Sequence, residues 1–374
     1  MKILGVIDSL GSGGAQRQMV NLLIGLKEKG HDVAVFVYHP KYKFYFEVIK
    51  NAGIPIYHVH LNKGFSFKVI FKIVSLVRNF RFEVIISFLN VPNFYCEIAS
   101  LFLSKKILLL VSERSSYLNN NYIKNLIFNY FHSLADAVIA NSDTQCIWLK
   151  SHFWLKNKTH LIYNGYFVSN LENINLPKKI SDSLQFLVIA RIDEGKNGIR
   201  LAEAFVLFFK KYGFVPSLNW VGRQELDVKS LEVRTKIDEI LNNNPEVLAN
   251  WSWLGERNDV TPLLQNCDTL VHISLFEGLP NVVCEAFIAG RPAILSDVCD
   301  HYFLSGNGLR GILCNPFSVN SIFLALEKMY FSSQQDREKM GVNARIFALE
   351  YLTIKQMVSK YETLIKELSP KYSL

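Results

Sequence analysis

The chain has 374 residues, of which 49% are hydrophobic and 20% charged, and its formal net charge is +8. This length suits two α/β domains, and the high apolar content without low-complexity runs excludes a mainly disordered protein. The six cysteines lack the paired spacings of metal sites or compact disulfide frameworks, and Lys or Arg interrupts each long apolar run, which argues against membrane-spanning helices.

The N-terminal sequence predicts a βαβ unit. Lys2 to Ile7 is an apolar strand, Gly11 to Gly14 a turn, Gln16 to Lys29 a helix and Asp32 to Tyr38 a second strand. The opening residues contain neither a long apolar segment nor a small-residue cleavage site, so they do not resemble a signal peptide. We therefore expect a cytoplasmic protein.

The turn after the first strand has the sequence Gly11-Ser12-Gly13-Gly14-Ala15-Gln16. Gly13 and Gly14 allow the backbone to approach an anion closely. The full spacing of a dinucleotide-binding fingerprint is absent, because position 16 is Gln and Asp32 opens the next strand instead of closing it. Many turns between a strand and a helix are also glycine-rich for packing reasons, so both interpretations stay open.

The positive charge lies in the N-terminal part, where residues 1 to 120 contain fifteen Lys and Arg against seven Asp and Glu. From Phe65 to Phe80, polar residues recur at helical spacing opposite an apolar face: Lys68, Lys72, Ser75 and Asn79. Basic and aromatic residues together predict contact with an anionic membrane surface. The alternative is a solvated helix that packs on its own sheet. No nucleic-acid-binding motif accompanies the charge, so we expect no nucleic-acid partner.

Strand and helix patterns then alternate, as in a doubly wound sheet. Further strands of the first domain are predicted at Ile54 to His60, Glu83 to Phe88, Ile107 to Ser112 and Ala137 to Ala140. The segment from Asn170 to Ser183 is predicted to be a linker, and the alternation of strands and helices begins again at Leu184. Strands of the second domain are predicted at Phe186 to Ala190, Leu218 to Val221, Ser252 to Leu254, Thr269 to Ile273 and Pro292 to Ser296.

Two cations, Arg191 and Lys196, stand in the turn between the first strand and first helix of the second domain. In such a turn both can face a diphosphate, and the N–H groups at the start of the helix add to the positive field. The alternative is that both are surface side chains, with Arg191 paired to Asp193.

A second group of candidate residues runs from Phe276 to Ala286 and contains two carboxylates, Glu277 and Glu285, with seven residues between them. The turn that opens this helix leaves backbone N–H groups within the range Leu279 to Val282 that suit phosphate or sugar oxygens. Glu285 lies among apolar residues and is placed to accept two ribose hydroxyls, whereas Glu277 at the turn suits hydroxyls of a hexose. The alternative is that Glu277 only caps the turn and that Glu285 is a solvated helix residue.

The glycine turn at Gly13 and Gly14, the pair Arg191 and Lys196, the pair Glu277 and Glu285, and the segment Gly290 to Ile294 form one pattern. With this pattern the chain resembles the retaining glycosyltransferases of family 4, which have the GT-B fold. The resemblance implies two Rossmann-like domains facing a cleft, with an acceptor-binding domain at residues 1–170 and a nucleotide-sugar-binding domain at residues 184–352. It also implies that a helix within residues 353–374 crosses back to the first domain.

By the same resemblance, Arg191, Lys196 and Glu277 are catalytic, and Arg191 and Lys196 hold the donor diphosphate. Donor-binding residues are further expected at Gly13, Gly14, Gly278, Leu279, Asn281, Val282 and Glu285. No cofactor or metal is expected, because the cations and helix-end dipoles neutralise the leaving phosphate and no Asp-x-Asp motif is present. The donor is expected to be a nucleotide diphosphate sugar, with uridine as the base.

The segment Glu113-Arg114-Ser115 follows a strand where many members of the family have a His. It is similar to a bacterial branch that builds surface polysaccharides such as O-antigen or capsule on lipid-linked saccharides. Glu113 and Arg114 are therefore expected to bind the acceptor, and the protein to act at the inner face of the cytoplasmic membrane. For Glu113 and Arg114 the alternative is an internal ion pair. For the whole protein there are two alternatives. It could be another GT-B enzyme such as a sugar-nucleotide epimerase, or a non-catalytic sugar-nucleotide-binding subunit of a polysaccharide assembly complex.

Overall fold

A computed structural model describes residues 1–61, 64–104, 106–114, 128–168, 184–257 and 259–369. Within these ranges the chain divides into two compact units. Unit 1 comprises Met1–Phe167 together with Tyr351–Leu374, and unit 2 comprises Val168–Glu350. The predicted linker from Asn170 to Ser183 lies outside the described residues.

Unit 1 is built on a parallel sheet of seven strands in the order β3-β2-β1-β4-β5-β6-β7. Its strands are β1 Lys2–Ile7, β2 Asp32–Val37, β3 Ile56–His58, β4 Val84–Phe88, β5 Leu108–Glu113, β6 Ala137–Ala140 and β7 Thr159–Leu161. Its helices are α1 Gly14–Glu28, α2 Phe46–Asn51, α3 Phe67–Phe80, α4 Asn90–Ser100 and α5 Asp143–Lys150. Strand order reverses between β1 and β4, as in a doubly wound sheet.

Unit 2 contains a second parallel sheet of six strands in the order β10-β9-β8-β11-β12-β13. Its strands are β8 Gln185–Ile189, β9 Ser217–Val221, β10 Trp251–Gly255, β11 Thr269–His272, β12 Ala293–Ser296 and β13 Gly311–Cys314. Its helices are α6 Gly198–Tyr212, α7 Val228–Asn242, α8 Pro245–Leu248, α9 Val260–Asn266, α10 Asn281–Ile288, α11 His301–Ser305, α12 Val319–Phe331 and α13 Gln334–Tyr351. The reversal of strand order falls between β8 and β11.

The strands are apolar along most of their length because helices cover both faces of a parallel sheet. In unit 1, one hydrophobic cluster includes Leu22 of α1 and Ile86 of β4, and another includes Ile73 of α3 and Ile85 of β4. In unit 2 a cluster built around Phe205 and Trp220 joins α6 to the sheet. Two α/β domains with parallel sheets are therefore confirmed.

Two strands were absent from the sequence-based predictions, namely β7 and β13. β7 has three residues and β13 has four, so neither is long enough to show a clear period. Both ends of β1 and β6 lie where they were predicted, and the strand ends that differ from the predicted ones do so by one or two residues, since hydrogen bonds to the neighbouring strand decide where pairing stops.

The last helix, α14, spans Ile354–Leu368 and belongs to unit 1. It begins at the cap residue Thr353, whose hydroxyl accepts a hydrogen bond from the Gln356 amide. Its apolar side joins a core cluster of unit 1 through Met357, Val358, Tyr361, Leu364 and Ile365. A chain segment far from the N-terminus in sequence therefore completes the first unit.

Helix α3 covers the segment for which we predicted a basic amphipathic helix. Its apolar side packs within unit 1 through Val69, Ile70, Ile73, Val74, Leu76 and Val77. This agrees with the second interpretation of the segment, in which the helix packs on its own sheet. Several aromatic rings nevertheless stay exposed beside Lys68, and Phe67 of α3 is 65% exposed.

None of the helices among the described residues is long and apolar enough to cross a membrane. All six cysteines are free thiols, and only Cys299 is not fully buried.

Candidate active site

The predicted donor-site residues follow two strands that are neighbours in the sheet of unit 2. Arg191 and Lys196 come after β8, and Glu277 comes after β11. Ligands of open α/β sheets bind at the carboxyl ends of strands where the strand order reverses. The loops after β8 and β11 occupy that position in unit 2.

Lys196 and Glu277 are in direct contact. The Lys196 ammonium donates a hydrogen bond to Oε1 of Glu277, and the two side chains are 20% and 16% exposed. Lys196 ends a short 3₁₀ turn, Glu194–Lys196, and the loop of Glu277 is tied to that turn because the Leu275 amide donates to the Gly195 carbonyl. Two residues 81 positions apart therefore form one polar centre.

His272, the last residue of β11, also contacts Glu277. Its Nε2 lies 3.1 Å from Oε1 of Glu277, so the same carboxylate oxygen receives two donors. Burial of Glu277 by itself would raise the pKa of this carboxyl group, but the hydrogen bond and charge of His272 and the ammonium of Lys196 outweigh burial and lower the pKa well below its usual range. Glu277 is therefore ionised at neutral pH.

His301 lies behind His272, with the ring centroids 5.4 Å apart. It is fully buried, and its Nδ1 lies 2.8 Å from the carbonyl oxygen of Ser296. Burial, followed by the neighbouring His272, lowers the pKa of His301 to about 3, so this ring is neutral. Sequence reasoning missed both histidines. The available signal was a histidine at the end of a strand, directly before the loop that carries Glu277.

Asn197 is a further residue that sequence reasoning missed. It adopts a left-handed backbone conformation, with φ of 62°, between the 3₁₀ turn and α6. Its side-chain amide donates hydrogen bonds of 3.2 Å to the carbonyl of Ile273 and 2.7 Å to that of Pro316. Asn197 is the cap residue of α6, and its amide connects this turn to the loops after β11 and β13.

Arg191 does not join the pair of Lys196 and Glu277. Its guanidinium is exposed and forms ion pairs of 3.5 Å with Asp193 and 3.1 Å with Glu225. Pairing with Asp193 was the alternative interpretation of this residue. Its catalytic role stays a prediction.

Helix α10 begins directly after the Gly-Leu-Pro turn. Pro280 is its cap residue and provides no side-chain hydrogen bond to the backbone N–H groups of the first turn. Gly278 precedes the cap, and Asn281 and Val282 are the first two helical residues. Glu285 is partly exposed, while Val283, Cys284, Ala286 and Phe287 are buried. We expected Glu285 to be buried among these apolar neighbours, but its side chain lies on the partly exposed side of α10.

In unit 1, Gly13 caps α1 and Gly14 is its first residue, and neither has a positive φ. Their contact with a donor stays a prediction. Glu113 ends β5 and is 5% exposed. Its neighbour Arg114 stacks on the ring of Phe88, with 3.8 Å from the guanidinium carbon to the ring centroid.

Glu113 and Arg114 do not form an ion pair with each other. Nε of Arg114 donates to Ser112 Oγ at 2.9 Å, and the terminal nitrogens donate to Asn164 and to the hydroxyl of Tyr361 on α14. Glu113 instead contacts His132 and Asn93. Burial lowers the pKa of Arg114, and a guanidinium stays charged in proteins.

Comparison with known proteins identifies the family. Residues 12–169 match the model described as Glycosyltransferase Family 4, and residues 183–331 match the model of Glycosyl transferases group 1. The chain belongs to glycosyltransferase family 4. Two enzymes of Campylobacter jejuni are among its relatives.

One of these relatives is a GalNAc-alpha-(1->4)-GalNAc-alpha-(1->3)-diNAcBac-PP-undecaprenol alpha-1,4-N-acetyl-D-galactosaminyltransferase, 28% identical over 76% of this chain and 76% of its own length. The other is an N-acetylgalactosamine-N,N'-diacetylbacillosaminyl-diphospho-undecaprenol 4-alpha-N-acetylgalactosaminyltransferase, 27% identical over 88% of this chain and 90% of its own length. Both are named for the lipid-linked saccharides on which they act.

Solved structures confirm the fold. The structure of Anabaena Alr3699/HepE in complex with UDP superimposes with a TM-score of 0.81 at 17% identity, over 98% of this glycosyltransferase and 100% of that chain. The predicted GT-B class is thus confirmed. The family matches confirm the prediction that the protein is a glycosyltransferase enzyme.

Proposed function

We propose that this glycosyltransferase moves a hexose or an N-acetylhexosamine from a uridine diphosphate sugar to a lipid-linked saccharide, with retention of anomeric configuration. The contact between Lys196 and Glu277 at the carboxyl ends of β8 and β11 carries this proposal. A diphosphate gains negative charge as it leaves the sugar, and an ammonium in a partly buried site stabilises that charge. An ionised carboxylate beside it accepts hydrogen bonds from sugar hydroxyls.

The start of α10 supports a phosphate-binding role for the same loop. Its cap residue, Pro280, makes no side-chain hydrogen bond to the first turn, and the backbone N–H groups at the start of a helix attract anionic oxygens. Glu285, one turn further, is proposed to bind the ribose. Because Lys196 and these N–H groups supply positive charge, we propose that transfer needs no metal ion, with Arg191 joining them when the donor displaces its ion pairs.

The proposed acceptor contains a diphosphate, as the substrates in the names of the two Campylobacter relatives do. Arg114 suits such an acceptor, because every hydrogen-bond partner recorded for it among the described residues is a neutral side chain. A guanidinium fixed in this way still attracts phosphate through its unshielded charge and remaining N–H groups. The proposed pathway is the assembly of a bacterial surface polysaccharide.

A surface of unit 1 supports peripheral contact with the inner face of the cytoplasmic membrane. We call it the aromatic–basic patch, and it consists of Phe65, Phe67, Lys68, Phe71 and Phe102. All five residues are exposed, and the rings of Phe71 and Phe102 lie 6.2 Å apart. Exposed aromatic rings beside a lysine favour an anionic lipid surface, which offers both an apolar layer and negative charge.

Donor binding tests the proposal first. Thermal melts would be recorded with UDP-, GDP-, CMP- and dTDP-sugars and with the free nucleotides, with and without EDTA. We expect the uridine compounds to raise the melting temperature, and we expect EDTA not to abolish this shift. A ligand that binds only the folded state stabilises it by about 2.7 kcal/mol at a hundred times its Kd. No shift with any nucleotide above about a millimolar would contradict the enzymatic function, and a shift that EDTA removes would contradict metal independence.

Vesicle binding tests the membrane surface. Flotation with phosphatidylglycerol vesicles would compare the wild type with the variant Phe67→Ser/Phe71→Ser, and Phe153→Ser provides a control at an exposed phenylalanine outside the patch. We expect the double variant to lose most of its vesicle binding and the control to keep it, with weaker binding of all three to phosphatidylcholine. Equal binding by the wild type and the double variant would contradict the role of the patch.

A further inference from the structure

A connected group of buried polar side chains lies behind the carboxyl end of β5. It comprises Ser87 of β4, Asn93 and Glu97 of α4, Glu113 of β5 and His132 of the 3₁₀ turn His132–Leu134. Each of them is at most 5% exposed. Burial of charged groups is unfavourable unless they are paired and hydrogen-bonded, so a cluster with three ionisable side chains calls for a functional explanation.

His132 lies between the two carboxylates. Its Nδ1 is 2.5 Å from Oε1 of Glu97, and its Nε2 is 3.1 Å from Oε1 of Glu113. Burial by itself would lower the pKa of His132, but the charge of Glu97 and hydrogen bonds to both carboxylates raise it to about 10. Burial also raises the pKa of Glu97, so the pair of Glu97 and His132 holds a proton at neutral pH.

The position of that proton does not change the contact with Glu113. If the proton is on His132, both ring nitrogens donate, one to each carboxylate. If it is on Glu97, this carboxyl group donates to Nδ1, and the remaining ring proton is on Nε2. In both cases an N–H group of His132 faces Oε1 of Glu113.

Asn93 provides a second donor to the same oxygen. Its Nδ2 lies 3.2 Å from Oε1 of Glu113 and 3.0 Å from the carbonyl of Ser112, while its Oδ1 accepts a hydrogen bond of 2.7 Å from the Ser87 hydroxyl. All three contacts assign the same orientation to the amide. Oε1 of Glu113 is therefore held from two sides, by α4 and by the 3₁₀ turn.

The other oxygen of Glu113 has a different environment. Every hydrogen bond recorded for this carboxylate within the described part of the chain ends on Oε1, and Oε2 is not among the buried atoms without a partner. A carboxylate oxygen can accept two hydrogen bonds. Glu113 also ends a central strand at the carboxyl edge of the sheet, where α/β domains bind ligands.

We propose that Asn93, His132 and Glu97 are positioning residues that fix Oε1 of Glu113, so that Oε2 accepts a hydrogen bond from a hydroxyl group of the acceptor saccharide. The proposal rests on the transferase function proposed above and assigns a purpose to the buried cluster. His132 orients Glu113, Glu97 orients His132, and only Glu113 touches the acceptor.

Two substitutions of His132 separate positioning from general stability. In His132→Gln the longer side chain keeps an amide donor near the position of Nε2, whereas in His132→Asn the shorter one reaches only toward Glu97. Both remove the imidazole, so both lose its packing and charge. Kinetics would be measured with the preferred donor sugar and a short-chain polyprenyl-diphosphate N-acetylhexosaminide as the acceptor probe, alongside Glu113→Gln and thermal melts of each variant.

We expect the acceptor KM to stay within about threefold of the wild type in His132→Gln and to rise about tenfold or more in His132→Asn and Glu113→Gln, as loss of a hydrogen bond to a charged group implies. The donor KM should not change in any variant. Equal acceptor KM values in His132→Gln and His132→Asn at equal melting temperatures would overturn the proposal, and so would a matching rise in the donor KM.

Crystal structures of the unliganded variants distinguish failure of this inference from failure of the proposed function. We expect Glu113 to keep its position in His132→Gln and to shift in His132→Asn. If the wild type binds no nucleotide sugar and transfers none, the proposed function is wrong, and the acceptor contact of Glu113 is wrong with it. If transfer occurs but Glu113 stays in place in both variants, the function stands and positioning by His132 is wrong.

Discussion

In unit 2, one carboxylate oxygen, Oε1 of Glu277, is the shared hydrogen-bond acceptor of the candidate active site. Oε1 of Glu277 receives hydrogen bonds from Lys196 and from His272, which keep this carboxylate ionised despite its burial. The pair is only partly buried, so neither partner is essential for a closed core. Removal of either one should therefore affect chemistry more than folding.

We predict that Lys196→Ala and Glu277→Ala each lower the transfer rate by about a hundredfold to a thousandfold, as removal of one preorganised charge or donor does in other enzymes. Both variants should retain a cooperative melting transition. Lys211→Ala is the matched control, because Lys211 forms a surface ion pair with Glu327 in the same unit. The measurements are the rate of nucleotide release with donor and acceptor, and a thermal melt. Loss of the melting transition with unchanged activity would contradict the assigned roles.

At the scale of secondary-structure elements, polar contacts add to the hydrophobic core that α4 and β5 already share. The cluster around His132 joins α4 to β5 and to the 3₁₀ turn before β6. Its stability depends on the proton held by His132 and Glu97. The free energy of unfolding of unit 1 should therefore depend on pH, over a range determined by the pKa of His132 in the folded and unfolded chain.

The raised pKa of His132, about 10 in the folded chain against about 6.5 for an unfolded one, determines the sign of this response. A group that binds its proton more tightly when folded stabilises the fold fully below the unfolded pKa, and this contribution is lost as the pH rises through the folded pKa. We predict that the free energy of unfolding of the wild type falls between about pH 6.5 and pH 10, and that His132→Gln shows a smaller fall.

Urea unfolding at several pH values checks this prediction, and the difference between the two proteins isolates His132 from other titrating groups. Glu97→Gln is a useful companion, because its neutral side chain removes the main charge that raises the pKa of His132. Parallel pH dependences in the wild type and in both variants would show that His132 does not carry this proton.

For the whole molecule, the stability of unit 1 depends on the return of the chain to this unit after it has formed unit 2. Helix α14 buries five large side chains in the first core, namely Met357, Val358, Tyr361, Leu364 and Ile365. Each contributes about 1.5–3 kcal/mol when fully buried. Their sum is comparable to the total stability of a domain, about 5–15 kcal/mol.

We predict that a chain ending at residue 350 loses the cooperative unfolding of unit 1 and retains that of unit 2, which keeps all of its own strands. Calorimetry with near-ultraviolet circular dichroism would detect the two transitions. A chain ending at residue 369 is the control, because it keeps all of α14. An unchanged unit 1 transition in the shorter chain would show that α14 is dispensable.

The sequence by itself determined the alternation of strands and helices, the restart of the pattern at Leu184 and the resemblance that rests on Lys196, Glu277 and Glu285. These are local features, since a strand has a period of two residues, a helix a period of 3.6, and a turn its own residue preferences. The basic amphipathic segment was also visible, but its apolar periodicity is the same whether the helix packs on its own sheet or on a membrane.

Only the tertiary structure decided which distant residues meet. Arg114 and Tyr361, 247 positions apart, are hydrogen-bonded in unit 1, and Glu97 reaches His132 across 35 positions. The contact of His272 with Glu277 depends on how the loop after β11 folds back on its strand, and the short strands β7 and β13 depend on their neighbours in the sheet. No periodicity encodes such contacts, because they arise from the packing of whole elements against one another.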